Sequence, residues 1–179
     1  MPRYNELKRI AREAFEEAAE LYKDQRVNSE RSLQVAVWSA LNRLLAERKT
    51  FRLFVEPRLV LPGKGRWPQA VRVPDIVVCN RDRAIAVIEL KFKPRGRPAS
   101  KGDLDKFAAL AHPRCKDLLV THERWRGDKE PKHFPLGRDA VFIWMAIGAS
   151  TGDGHAPRED IAHRYLRLVY STTTHSIED

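Results

Sequence analysis

Pro74-Asp75-Ile76-Val77-Val78-Cys79, Asn80-Arg81-Asp82-Arg83 and Ala84-Ile85-Ala86-Val87-Ile88-Glu89-Leu90-Lys91-Phe92 form the stretch on which the fold turns. Two β-rich runs, Val71 to Cys79 and Ala84 to Phe92, flank four polar residues, which predicts a hairpin. Strand side chains alternate, so Glu89, Lys91 and Lys93 share one face while Ile88, Leu90 and Phe92 share the other. A three-residue loop that pairs Asn80 with Ala84 sets Asp75 opposite Glu89. Opposed side chains on one face have Cβ atoms about 4.5–5.5 Å apart. A loop one residue shorter or longer moves this register.

Two carboxylates at that spacing repel unless a cation or a shared proton lies between them. A hard divalent cation such as Mg²⁺ suits them, because it prefers oxygen ligands and often takes only one or two carboxylates. Mn²⁺ is the expected substitute. The ammonium of Lys91 would stand beside the pair, able to polarise a water or neutralise charge developing on a phosphate. Lewis acid, water and electrostatic stabilisation are the parts that phosphodiester hydrolysis requires. Taken singly, Glu-x-Lys more often marks a solvated strand face and Pro-Asp a turn. It is their combination on consecutive strands that points to chemistry.

Upstream, Tyr4, Leu7, Ala11, Ala14, Phe15, Ala18 and Tyr22 recur at helical spacing and predict a helix over 3–23. Asn28 or Ser29 can cap a second helix that reaches about Arg48, with Leu33, Val37, Ala40, Leu41, Leu44 and Leu45 as its stripe. These helices either pack as a hairpin or leave the first for a dimer interface. Phe51 to Pro57 reads as a strand and Leu61 to Arg66 as a basic loop. Downstream, Ser100-Lys101-Gly102-Asp103 resembles a capping box and opens a helix through Leu104, Phe107, Ala108 and Ala111, which His112-Pro113 ends. Lys116 to Thr121, Ala140 to Ile147 and His163 to Ser171 read as strands, with Gly148 to Gly154 as a hairpin loop. The order predicts an α/β fold in one domain over 1–179: a central mixed sheet flanked by helices, an N-terminal helical pair and a C-terminal β extension.

The net charge is +9, from 33 Lys+Arg against 24 Asp+Glu in 179 residues. Such an excess favours a polyanionic partner, since basic surfaces displace counterions from phosphates. The cations fall in separate clusters: Arg58, Lys64 and Arg66; Lys91 to Lys101; and Arg124 to Lys132. Lys93-Pro94-Arg95-Gly96-Arg97-Pro98 is expected to be a mobile basic segment beside the centre. Trp67 next to Arg66, and Trp125 between Arg124 and Arg126, suit unpaired bases or cover an edge of the core. No apolar run spans a bilayer and no signal-peptide core opens the chain, so no membrane and a cytoplasmic location are expected. Cys79 and Cys115 are then expected as free thiols. The six histidines lack zinc-site spacing, and neither a Gly-Lys-Ser/Thr phosphate loop nor a Gly-x-Ser-x-Gly elbow is present.

Pro74-Asp75, thirteen intervening residues, then Glu89-Leu90-Lys91 resembles the PD-(D/E)XK nuclease superfamily, with its restriction-endonuclease-like fold. The likeness covers about residues 29–121 as a helix–three strands–helix–strand core, with 1–28 as an N-terminal helix and 122–179 as an elaboration. It implies that Asp75 and Glu89 bind the metal with the Leu90 carbonyl, and that Lys91 is the catalytic lysine. Members often add a carboxylate from the preceding helix. Glu30 stands in a suitable place, though the helix dipole alone favours an acid there; Glu47 and Glu56 are the substitutes. Asp103 and Lys106 could share the helix face toward the site. Lys93, Arg95, Arg97, Lys101, Arg66, Arg124 and Arg126 are the candidate contacts to nucleic acid. The resulting expectation is an Mg²⁺-dependent nuclease acting on DNA rather than RNA, with a homodimer as the form that would cut both strands. The competing expectations are a catalytically inactive nucleic-acid-binding or assembly module of the same fold, or an unrelated α/β protein.

Overall fold

The computed structural model describes residues 4–46, 50–57, 59–60, 70–111, 119–122, 132–151 and 156–179. Its elements run α1 (Tyr4–Lys23), α2 (Glu30–Leu45), β1 (Arg52–Val55), β2 (Leu59–Val60), β3 (Ala70–Arg72), β4 (Ile76–Cys79) and β5 (Ala84–Lys93). Then come α3 (Lys101–Ala111), β6 (Leu119–His122), β7 (Lys132–Gly148), α4 (Glu159–Ala162), β8 (Tyr165–Ser171) and β9 (Ser176–Glu178). Six strands form a mixed open sheet in the order β1-β4-β5-β7-β8-β9. β5, β7 and β8 are parallel, and the remaining pairs are antiparallel. The first residues of β7 also carry β6, then β2 and β3. The fold is α/β, with helices on both faces of the sheet.

Strand parity sorts two cores. Ile76 and Val78, Ile88 and Leu90, Ile143 and Met145, and Leu168 and Tyr170 pack against α1 and α2. On the other face, Val77, Val87, Phe142 and Val169 pack against Leu104, Phe107 and Leu110 of α3 and Ile161 of α4. α1 spends Leu7, Ile10, Ala11, Ala14, Phe15, Ala18 and Ala19 in the first core, so the helical pair is a hairpin on the sheet. Ser29 caps α2 through a box closed by the Ser32 hydroxyl; a cap of this type contributes about 1 kcal/mol. Cys79 is a buried free thiol, pushed up to about 12 by burial. Cys115, His112 and Glu47 lie outside the described residues.

Four local expectations differ from the structure. The run Val71 to Cys79 is two strands, because Pro74 lacks the N–H a ladder needs and Val73 to Asp75 leave the sheet. The β4–β5 turn is tighter than a three-residue loop: the Asn80 N–H donates to the Arg83 carbonyl at 2.9 Å, and Cys79 pairs with Ala84. An irregularity between Val78 and Cys79 then restores Val78↔Ala86, Val77↔Val87 and Ile76↔Ile88. β7 and β8 are not a hairpin pair, since they are parallel and their connection is a crossover that carries α4. Finally, the strand beside β5 is β7. The run expected to close the 29–121 core, Lys116 to Thr121, contributes β6, which lies beside β2 and β7 and not beside β5.

Candidate functional site

Extending the β4–β5 register past Ile76↔Ile88 sets Asp75 against Glu89 and Pro74 against Leu90. Pro74 offers no N–H to the Leu90 carbonyl. The Leu90 N–H, which a continued ladder would give to residue 74, instead donates to Asp75 Oδ2 at 2.6 Å. Two residues on, the Phe92 N–H donates to Glu30 Oε2 at 3.3 Å. Both carboxylates thus lie along the edge of β5 that β4 leaves bare. N–H and C=O of one strand residue leave on the same side, so the Leu90 carbonyl points out of that edge too. Asp75 is held from behind: its carbonyl accepts the Glu56 N–H at 2.9 Å and Gln34 Nε2 at 3.0 Å. Gln34 is buried and lies four residues after Glu30, which brings both to the same helix edge.

Across the sheet face, Glu89 of β5 registers with Trp144 of β7, and Trp144 with Arg167 of β8. α3 crosses above this row and delivers Asp103 and Lys106. Lys106 Nζ lies 3.0 Å from Glu89 Oε2 and 3.1 Å from Asp103 Oδ1. Lys91 Nζ lies 3.4 Å from Asp103 Oδ2, which also accepts Trp144 Nε1 at 3.0 Å. Arg167 stacks on Trp144 with its guanidinium carbon 5.5 Å from the ring centre. Its Nε and Nη2 are buried and have no hydrogen-bond partner among the described residues.

Burial dominates the electrostatics. Glu89 is 2% exposed, and its carboxyl is pushed up to about 7 by desolvation, reinforced by the charges of Asp75 and Asp103 and opposed by Lys106. The Asp75 carboxyl is raised, again chiefly by burial, with the Leu90 N–H and Lys91 pulling it down and Glu30 adding to the rise. Desolvation works against the Lys106 ammonium, but Glu89 and Asp103 outweigh it and raise its pKa. Glu30, Asp75, Glu89 and Asp103 outnumber Lys91 and Lys106 by two formal charges.

That donor set fits a hard divalent cation held by two carboxylates, a carbonyl and waters. Among the described residues no group of three or more His, Cys, Asp or Glu forms a ready cage. Lys106 is the cation that now neutralises Glu89.

The structure thus brings together Asp75, Glu89, Lys91, the Leu90 carbonyl and Glu30. Asp103 and Lys106, expected only to share a helix face, both reach the centre. Glu56 contributes its backbone, while its carboxylate lies 3.9 Å from Arg31. Lys93, Arg95, Arg97 and Lys101 are all exposed, on the end of β5 and the connection to α3. That connection is pinned rather than mobile: Thr172 Oγ1 donates to the Pro94 carbonyl at 2.8 Å, and the Ala149 N–H to the Gly96 carbonyl at 2.9 Å. Arg58, Lys64, Arg66, Trp67, Arg124, Trp125 and Arg126 lie outside the described residues. Sequence reading missed Gln34, Trp144 and Arg167. Gln34 had a signal, a polar residue inside an apolar helical stripe and four positions from Glu30, and Arg167 had a similar one as the lone charge in the apolar run Tyr165 to Tyr170; Trp144, apolar in an apolar strand, had none.

No family model, curated protein or solved structure matches the chain. Among the described residues no helix is long and apolar enough to cross a membrane.

Proposed function

We propose that the protein is a divalent-metal-dependent nuclease of the PD-(D/E)XK kind that hydrolyses phosphodiester bonds in DNA. The observation that carries this reading is the bare edge of β5. There Pro74 ends the ladder, Asp75 takes the Leu90 N–H, and Glu89 and Lys91 stand on the face that Asp75 overlooks. Asp75 and Glu89 would hold the cation, with the Leu90 carbonyl and Glu30 completing its protein side. Bound there, Mg²⁺ or Mn²⁺ supplies a Lewis acid for the phosphate oxygens. Lys91 neutralises charge gathering on the phosphate and orients the attacking water. Lys106 holds the Glu89 carboxylate in place, and Asp103, fixed by Trp144, in turn positions both lysines. The exposed cations from Lys93 to Lys101 lie where a nucleic-acid backbone would approach, in keeping with the +9 net charge.

One observation favours a second reading, an inactive binding or assembly module. Lys106 already satisfies Glu89 and Asp103, so the cluster is neutralised in part without a metal. Incubation of labelled DNA with the protein and Mg²⁺ or Mn²⁺ separates the two. Cleavage that chelator abolishes, and that Asp75→Ala and Lys91→Ala each reduce by about a thousandfold, is the expected result. Salt-sensitive binding with no cleavage would establish the second reading instead. Variants that cleave as well as the wild type would place the active site elsewhere.

A further inference from the structure

Phe92 faces two ways. Its N–H reaches Glu30 at the candidate site, while its ring lines a cleft of about 780 Å³ beyond the end of β5, on the opposite face of the sheet. The volume is that of an ordinary small-ligand site. Its walls are aromatic: Tyr22 meets Phe92 and Tyr170 edge-on at 5.9 and 5.8 Å, and Tyr170 Oη lies 3.1 Å from His175 Nδ1. Its charged lining is cationic, from Arg95 and Lys23, with no acid among the described lining residues. Lys23 lies over the Tyr170 ring at 5.6 Å and is paired with Glu20 at 2.7 Å. Arg95 is exposed and stands on the pinned connection after β5. Gln25 and Asn28 supply amides to the rim.

A second, independent observation concerns the backbone. Gln25 and His175 both line the cleft, and both hold positive φ, 60° and 55°. Gln25 closes α1 in the left-handed position where glycine is favoured: its N–H donates to the Tyr22 carbonyl and the Arg26 N–H to the Leu21 carbonyl. His175 ends the turn between β8 and β9 in the same conformation. Side chains that could touch a ligand therefore stand at two positions where glycine would fit the backbone better, which is the pattern of strain held at a binding site.

We propose that this cleft binds an unpaired nucleotide of the substrate strand, its base against the half-buried rings of Tyr22 and Phe92 and its phosphate on Arg95. The assignment rests on the nuclease reading for its context, but not for its test. From Glu89 to Phe92 the chain advances three residues, roughly 10 Å along β5. The cleft also lies on the opposite face, so the strand would round the end of β5 to reach it, and the nucleotide held there is near the cleaved bond but not at it. Aromatic faces combined with a cation bind single strands without regard to sequence, so the cleft selects unpaired over duplex DNA.

The experiment uses the full chain in chelator, with a fluorescent oligothymidylate and a duplex of the same length. The oligothymidylate is expected to bind more tightly than the duplex. Arg95→Gln should weaken it about tenfold, and His175→Gly by about three- to tenfold. Melting of His175→Gly is measured alongside, because glycine relieves the positive φ but removes the Nδ1 that the Tyr170 hydroxyl meets; Arg95→Gln, at an exposed side chain, carries the binding test free of that loss. Photocrosslinking with 5-iodouracil in the oligonucleotide should label peptides holding Tyr22 or Phe92. Unchanged affinity in both variants, or crosslinks confined to other peptides, overturns the proposal. If DNA is cut with Mg²⁺ yet the variants bind as wild type, the cleft assignment fails alone. If nothing is cut while the variants lose binding, the cleft stands and the nuclease reading falls.

Discussion

Ile88 and Leu90 alternate along β5 with Glu89 and Lys91, and the two sets of neighbours live in different solvents. Ile88 and Leu90 are wholly buried in a dry wall shared with α1 and α2. Glu89 is almost as buried, yet it faces carboxylates, ammonium groups and an indole N–H under α3. One strand therefore carries the stability on one side and places polar groups in low dielectric on the other. Desolvation is unfavourable for Glu89 and strengthens each charge interaction made there. A site of that kind is tolerable because the opposite face supplies well-packed aliphatic burial within the same ten-residue strand.

The largest expected effect on stability comes from the dry side. Leu90→Ala leaves the backbone N–H that holds Asp75 but removes a fully buried side chain, and should cost about 2–5 kcal/mol. Chemical denaturation measures this directly. A loss below about 1 kcal/mol would mean that the core against α1 and α2 is looser than its burial indicates.

Much of this contrast was legible in the sequence, for reasons that also mark the limit. Period-two alternation assigns Glu89 and Leu90 to opposite faces whatever lies above them. The facing of Asp75 and Glu89 was reached through a loop that the chain does not use. A tighter turn and an irregularity at Val78/Cys79 cancel, so the register at Ile76 is the one a three-residue loop would give. Asp103 and Lys106 were visible as a helix face, but not what they meet, because Trp144 comes from a strand far along the chain and its registry with Glu89 is parallel. Parallel pairing leaves no local signal: the connection after Gly148 reads as a turn and is a crossover. β9 has three residues, too few for a period to show.

On the polar side the expected effect has the opposite sign and depends on pH. Glu89 has a folded-state pKa of about 7, above its ordinary 4.5. The folded chain therefore binds this proton more tightly than the unfolded one. The contribution is fully present below pH 4.5 and is lost as pH rises through 7. Glu89→Gln, uncharged throughout, should be more stable than the wild type at pH 8, by on the order of 1–3 kcal/mol, with the gap closing toward pH 4.5. The lower end allows for the Lys106 ammonium losing its partner. Urea unfolding at pH 8 and pH 5 tests this in the absence of metal. A variant less stable at pH 8 than at pH 5, relative to wild type, would mean that Lys106 more than compensates the buried charge.

The smallest effect is expected at the far end of the same polar row. Arg167 stacks on Trp144, but its buried Nε and Nη2 have no acceptor among the described residues, so the guanidinium contributes contact area and an uncompensated desolvation. Methionine keeps most of the length and apolar surface while removing the N–H groups. Arg167→Met should accordingly change stability by no more than about 1 kcal/mol, and in the stabilising direction, in contrast to truncation on the dry face. The unfolding midpoint in chelator, with no oxyanion present, is the measurement. A destabilisation comparable to Leu90→Ala would show that Arg167 is a packed structural residue, and that the polar face bears as much of the fold as the dry one.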